Sequence, residues 1–387
     1  MNKSASTILT ASLAIFSMFF GAGNLIFPLA TGYSSGENFW WGLSGFIATA
    51  VLLPLIGLIS IILFNGDYDA FFARLGKIPG FLLTAFCMIV IGPLIAMPRI
   101  VTLTEGFLKP FIIDMPLPLF STLFCALTFI AIYKESKIMN ILAYVISPAL
   151  LGSLGVIIIK GMMSPVPFLP NSAPVLETFW KQALVGYGTL DLLGALFFGS
   201  IALTLLKKSL TDHENFSMKK LITVTIKSGF IACFLIGILY IGLAFLGAYY
   251  GPSFNDQGLN AAQMFIAVCI KIMGSQGGFI IASAASLACY STLMALAVVL
   301  AEFIQTRLTH HLLSYTQALV LVLGLTAIVS CNGLTTIMSF SAPIMNTLYP
   351  VVITLTLCNG AYKLWGFRWV KIPVLATLLA SLYLNFF

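Results

Sequence analysis

Apolar runs long enough to cross a bilayer follow one another along almost the whole chain, parted by short stretches of polar residues, glycine and proline. A spanning helix needs about 20 predominantly apolar residues. The pattern predicts eleven spans, at residues 8–30, 39–64, 79–107, 117–133, 138–159, 183–206, 221–249, 277–303, 312–330, 334–357 and 372–387. Residues 259–273 are apolar but short for a span, and predict a helix lying at the membrane surface ahead of the eighth. Lys3 followed by an apolar run has the start of a signal peptide, but Phe27-Pro28 and the lack of a small-x-small cleavage site predict that this run stays in place as a span.

Composition agrees with the pattern. Of 387 residues, 19 are Lys or Arg and 12 Asp or Glu, 8% charged in all, against roughly 25% in soluble domains. Hydrophobic residues make up 60%, with 32 Phe, and the mean hydropathy is +1.05. These values exclude an ordinary soluble enzyme. They predict an all-α polytopic membrane protein, one transmembrane domain over residues 1–387.

The net charge of +7 raises the question of an acidic partner, but no basic run exceeds two residues and no basic patch is interleaved with aromatics, so no nucleic acid is expected. The positive-inside rule explains the excess better. With the N-terminus in the cytoplasm, thirteen loop Lys and Arg face inward, among them Arg74, Lys134, Lys137, Lys207, Arg307 and Lys363. Only Lys109, Lys160, Lys181 and Lys271 face outward. Acidic loop residues divide nearly evenly, and eleven spans put the C-terminus outside. The seven Cys are odd in number, lack a C-x-x-C and fall in apolar surroundings, so they are expected to be small packing residues. His213, His310 and His311 all fall in predicted cytoplasmic loops, and no two membrane acids share a short helical spacing, which argues against an intramembrane enzyme.

A repeat lies within the spans. Gly21-Ala22-Gly23-Asn24 in the first and Gly186-Tyr187-Gly188-Thr189 in the sixth both read G-x-G followed by a small polar residue. Five spans separate the two, and because five is odd the sixth crosses in the opposite direction to the first. The expectation is an inverted repeat, 8–160 and 181–358, followed by an additional C-terminal helix in 359–387. A glycine pair at mid-membrane lets the backbone leave the helical path, so helices 1 and 6 are expected to be broken. The freed backbone groups then need protein, water or a ligand. A half-helix beginning near Gly23 offers N–H groups to an anion, and one ending near Phe20 offers carbonyls to a cation. Close glycine packing between unbroken helices is the other reading. A passive channel would need a ring of filter residues from several subunits, whereas this repeat is internal to one chain.

Five charges fall within the spans: Arg99, Glu105, Asp191, Lys227 and Glu302. Such residues are functional candidates by default. Asp191, just after the glycines of the sixth span, reads either as an N-cap, a role Thr189 could share, or as a counter-charge for an ammonium or a coupling cation. Arg99 follows Pro93 and Pro98, where kinks are expected, and must find its partners on other helices. Glu105, Lys227 and Glu302 lie near span ends, within snorkelling reach of the interface. Ser291 and Thr292, with the Ala288 carbonyl a turn earlier, form an oxygen-only set suited to a hard alkali cation, or a set of ordinary interhelical and back-bonding hydroxyls.

The run Phe16-Ser17-Met18-Phe19-Phe20-Gly21-Ala22-Gly23-Asn24-Leu25-Ile26-Phe27-Pro28-Leu29 resembles the first-span signature of the branched-chain amino acid:cation symporter family, within the amino acid-polyamine-organocation superfamily. Pro98-Arg99, Gly186-Tyr187-Gly188-Thr189-Leu190-Asp191 with Phe198-Gly199, and Ala301-Glu302-Phe303 extend the likeness over most of the chain. The resemblance implies a LeuT-type five-plus-five inverted repeat and uptake of leucine, isoleucine or valine driven by Na+ or H+, with no cofactor and no obligate protein partner beyond the membrane lipid. It implies a cation site from the backbone oxygens of Ser17, Phe20 and Ala288 with the hydroxyls of Ser291 and Thr292. The substrate carboxylate would meet N–H groups of Ala22, Gly23 and Asn24, and its ammonium the carbonyls around Phe19 and from Gly186 to Thr189. The chain departs from the family in lacking the twelfth span many members have, and in having Gly188 where many have a bulkier residue, a change that would alter the pocket's volume.

Overall fold

The computed structural model describes residues 3–112, 114–133, 147–163, 173–211 and 218–386, all helix, turn or irregular segment with no strand among them. Among the described residues six continuous helical stretches are long and apolar enough to cross a membrane, and shorter apolar helices accompany them. The chain opens with α1 (Lys3–Phe19) and α2 (Gly23–Ser35). Next, α3 (Phe39–Ile47) and α4 (Leu53–Leu63) run through a π-helical turn at Ala48–Leu52. The short α5 (Tyr68–Phe72) is capped by Asp67, whose carboxylate accepts from the Ala70 N–H at 2.9 Å.

The third predicted span is interrupted. Helix α6 (Lys77–Ile89) passes through a π turn at Val90–Leu94 into α7 (Ala96–Leu108), with Gly92 at φ −96°, ψ −133° and Ile95 at φ −129°, ψ −63°. Pro93 lacks the N–H that would carry the ladder across this point. Pro98 falls in the first turn of α7, where proline is tolerated, so the bend lies ahead of it.

The fourth span is α8 (Leu117–Tyr133), followed by α9 (Ser147–Met162), α10 (Val175–Tyr187), α11 (Asp191–Thr211) and α12 (Met218–Tyr250). Residues 138–146, where the fifth span was expected to begin, lie outside the described residues. In α13 (Ala261–Phe303) Gly274 sits at φ +74°, ψ 174°, and this conformation sets 261–273 off from the rest of the helix. That first part buries Phe265, Ile266 and Cys269. Then come α14 (Tyr315–Ser330), α15 (Gly333–Trp365) and α16 (Lys371–Phe386). Helix α15 overruns the expected tenth span because Asn359 to Lys363 lower hydropathy without breaking a helix; Gly366, at φ +75°, ends it.

Within the bundle α2 packs on α12, α10 on α3, α13 on α7 and α11 on α4. The α2–α12 seam is backbone to backbone. A Cβ at Gly32 would come within 1.8 Å of Ala244 O, and one at Gly247 within 1.9 Å of Leu29 O, so glycine is required on both helices. Outward-facing Leu82, Ile130, Phe234 and Leu379 are exposed, as on a lipid-facing surface.

At one end of the bundle Arg307 pairs with Asp69, Arg74 donates to Phe367 O at 3.3 Å, and the Lys363 ammonium lies 4.5 Å from the Phe64 ring. Burial lifts the Asp69 carboxyl above its ordinary value while Arg307 draws it down. At the other end Lys109 meets Glu105 at 3.7 Å, and these two share a cavity with Asn260 and Gly333. Lys134, Lys137, Glu135, Asp212 and Glu214 lie outside the described residues. Six cysteines are buried; Cys331, expected to pack inside, is exposed in the turn between α14 and α15, because helix ends reach the surface even where the sequence around them is apolar.

Candidate functional site

Between α1 and α2 the ladder tightens. Phe20 N–H still reaches Phe16 O at 2.7 Å, and Asn24 N–H then bonds Gly21 O at 3.1 Å. Between α10 and α11, Thr189 and Leu190 N–H reach back only three residues, to Gly186 and Tyr187 O, both at 3.2 Å. Leu190 takes φ +64°, a left-handed conformation that costs a side-chain-bearing residue roughly 1–2 kcal/mol. The first helix ends two residues before Gly21 and the second one residue after Gly186. Relative to its glycines, the second turn therefore comes three residues later than the G-x-G match implied.

Asp191 does not cap its own helix. Thr189 does so, accepting from the Asp191 N–H at 3.4 Å while donating to Gly186 O at 2.9 Å. The Asp191 carboxylate is left for longer-range partners, Asn24 Nδ2 at 3.1 Å to both oxygens and the Tyr240 hydroxyl at 2.8 Å. Asn24 Nδ2 also reaches Tyr240 Oη at 2.6 Å and Phe19 O at 3.2 Å. Its two hydrogens are shared among these oxygens. One buried amide and one carboxylate thus tie together the end of α1, the start of α2, the start of α11 and the middle of α12.

Arg99 reaches the second turn from α7, donating Nη1 to Gly188 O at 2.6 Å, with the Phe27 ring centroid 5.2 Å from its Cζ. Phe27 also occupies the room beside Gly188, where an added Cβ would come within 2.6 Å of its Cζ. The room left by the missing side chain at Gly188 is therefore filled by Phe27, and Gly188 itself does not line the cavity.

A small cavity of about 50 Å³ opens between the two turns, room for a few waters at ~10–15 Å³ each on this measure. Phe19, Ala22, Gly23, Asn24, Thr189, Asp191, Arg99 and Thr292 line it, together with the apolar Met18, Ile91, Ile100, Phe198 and Leu296. Gly186, Tyr187 and Gly188 do not: Gly186 packs on Thr49 and Tyr187 stacks on Tyr349 at 4.9 Å. Ser291 and Thr292 both donate to Ala288 O, at 2.7 and 3.1 Å. This is the back-bonding arrangement, and it leaves the hydroxyl lone pairs free to ligate. Thr292 Cγ2 lies 3.4 Å from where a Gly21 Cβ would stand. Phe20 is buried and Ser17, a turn earlier, half-buried. Among the described residues no group of three or more His, Cys, Asp or Glu could hold a metal ion. Glu105 is engaged by Lys109, and Lys227 and Glu302 are exposed on the bundle's surface; none of the three lines the cavity. Tyr240 and Phe27 are site residues that sequence reasoning missed. A tyrosine hydroxyl in the middle of an apolar span was the available signal.

The chain matches, over residues 4–386, the family described as "Branched-chain amino acid transport protein". It is 30% identical to the branched-chain amino acid permease BrnQ of Bacillus subtilis (strain 168) over 93% of the chain and 83% of the relative. It is 28% identical to the branched-chain amino acid transport system 2 carrier protein of Pseudomonas aeruginosa over 95% and 82%. Among solved structures it resembles Mhp1, a nucleobase-cation-symport-1 family transporter (TM-score 0.61, 14% identity, 97% and 91% coverage), and MhsT in complex with L-phenylalanine (0.59, 15%, 96% and 98%). The shared architecture is the LeuT-type fold.

Proposed function

Since the chain belongs to the branched-chain amino acid transport protein family, a family of membrane permeases and not enzymes, we propose that it imports leucine, isoleucine and valine together with Na+ or H+ by alternating access. The observation that carries this reading is the cavity between the two helix turns, whose lining brings the charged Arg99 and Asp191 together with the apolar side chains of Met18, Ile91, Ile100, Phe198 and Leu296. That lining suits a zwitterion with an aliphatic side chain. Helix ends and the two charges serve its poles, and apolar groups serve the rest. As it stands the cavity takes only waters, so an amino acid would enter by movement of one helix set, 8–160 against 181–358, around it. The cation would ligate the oxygens of Ser17, Phe20, Ala288, Ser291 and Thr292, the two hydroxyls through the lone pairs that donation to Ala288 O leaves free. The N-terminus faces the cytoplasm of a bacterial inner membrane and the C-terminus faces out, on the distribution of Lys and Arg.

Counterflow in proteoliposomes tests the transport reading. Labelled leucine, isoleucine or valine should exchange under a sodium or a proton gradient, and absence of exchange under both would refute it.

A further inference from the structure

The guanidinium of Arg99 lies between the two helix turns with donors to spare. Arg99 is 5% exposed, its Nη1 is taken by Gly188 O, and its Nε has no hydrogen-bond partner. A guanidinium carries five N–H donors, and a buried charge is retained only when it is paired or hydrogen-bonded. Among the described residues no Asp or Glu forms an ion pair with it. Asp191, the acidic residue that lines the cavity with it, is already held by Asn24 and Tyr240.

Gly23 fixes where the spare donors lie. A Cβ there would stand 3.1 Å from Arg99 Nη2, so Nη2 sits against the first residue of α2. That helix is 13 residues long and has no side-chain cap at Ala22. Its first N–H groups have no acceptor within the helix and form its positive end. Asn24 and Leu25 N–H are taken up by Gly21 O and Ala22 O at 3.1 and 3.3 Å, so what converges at this point on the cavity wall is the positive end of α2, without a side-chain cap, and an under-used guanidinium, and an anion suits both.

We propose that Arg99 binds the carboxylate of the amino acid substrate, closing over it against the N-terminus of α2 at Gly23. This assignment rests on the amino-acid transport reading and deepens it, since a guanidinium adds a full charge and further donors to the preference for an anion that the helix end already has. The carboxylate then lies toward Arg99 and Gly23, and Asp191, which lines the same cavity, is the acidic group available to the ammonium. Because Nη1 of the same side chain holds Gly188 O, occupation of the site on α2 is felt directly at the turn between α10 and α11.

The test is equilibrium binding to purified protein, with leucine and with leucinamide, which keeps the ammonium and side chain but has no carboxylate. Wild-type protein should prefer leucine. R99Q should lose about 10–100-fold in leucine affinity, the scale of a lost charge-assisted pair, while leucinamide binds as well or better because a repelling positive charge is gone. R99K, which keeps the charge but not the planar fork, should fall between. Equal binding of the two ligands by wild type, or an R99Q protein that keeps the wild-type preference, overturns the assignment. Loss of both ligands in R99Q and R99K alike would make Arg99 a strut for the Gly188 turn, and overturns it too. Wild-type protein that binds neither leucine nor leucinamide defeats the transport reading instead, so the two failures are told apart.

Discussion

At the scale of single residues, the site depends on few polar groups, each with several obligations. Tyr240 donates to Asp191 and accepts from Asn24 in a fully buried position. Tyr240→Phe removes the hydrogen bond donated to the buried Asp191 carboxylate, while Asn24 keeps Phe19 O and the Asp191 oxygens as acceptors, so it should destabilise the protein by about 1–3 kcal/mol. Thermal unfolding in detergent would show this as a lowered midpoint, and an unchanged midpoint would contradict the coupling. Two substitutions separate the coupling ions. If Na+ drives uptake through the oxygen set, Thr292→Ala should raise the sodium concentration needed for half-maximal uptake. If Asp191 carries a proton, Asp191→Asn should retain sodium-driven uptake and lose its pH dependence. Uptake titrated against sodium and pH reads both.

Helices pose a different question, namely how closely two backbones can approach. Gly32 and Gly247 put α2 directly on α12, and that seam brings Tyr240 to Asn24. Gly247→Val would force the helices apart by more than an ångström, because the obstructing atom is the Leu29 carbonyl and not a movable side chain. Loss of folded protein, or of leucine binding where folding survives, is the expected result, and normal binding with normal yield would show that the seam is not needed. Sequence reading was strongest for uninterrupted elements: α8 has the bounds the apolar run gave. It was weaker where helix ends depend on conformation. Hydropathy cannot register that Gly366 ends α15, nor that Gly92 and Ile95, rather than Pro98, carry the bend before α7, because these are properties of φ and ψ. The three-residue displacement between the glycine match and the turns arises likewise, since Thr189 and Leu190 take up the second turn that Gly21 and Ala22 take up in the first.

For the whole molecule, orientation is the open physical prediction. Arg74, Arg307 and Lys363 gather at one end, where Arg307 meets Asp69. Cys331 lies beyond α14 at the other, next to the Gly333 that shares a cavity with Lys109. It is also the one exposed cysteine among the described residues. A membrane-impermeant maleimide added to intact cells should label Cys331, and Cys331→Ser should abolish that labelling. Reaction only after the cells are opened would invert the topology.

The amino-acid sequence by itself determined the class, the approximate spans, the charge asymmetry and the family, because each is a sum or a pattern along the chain: apolar length against bilayer thickness, basic residues per loop, one glycine-rich signature. It also picked out Asp191 and Arg99, because a charge in an apolar span is conspicuous wherever it points. Only the tertiary structure decided what those charges touch. Asp191 is 167 residues from Asn24 and 49 from Tyr240, and Arg99 is 89 from the Gly188 carbonyl it holds. Which groups are spent on one another, and which are left over for a ligand, depends on distances across helices that no spacing along one chain encodes.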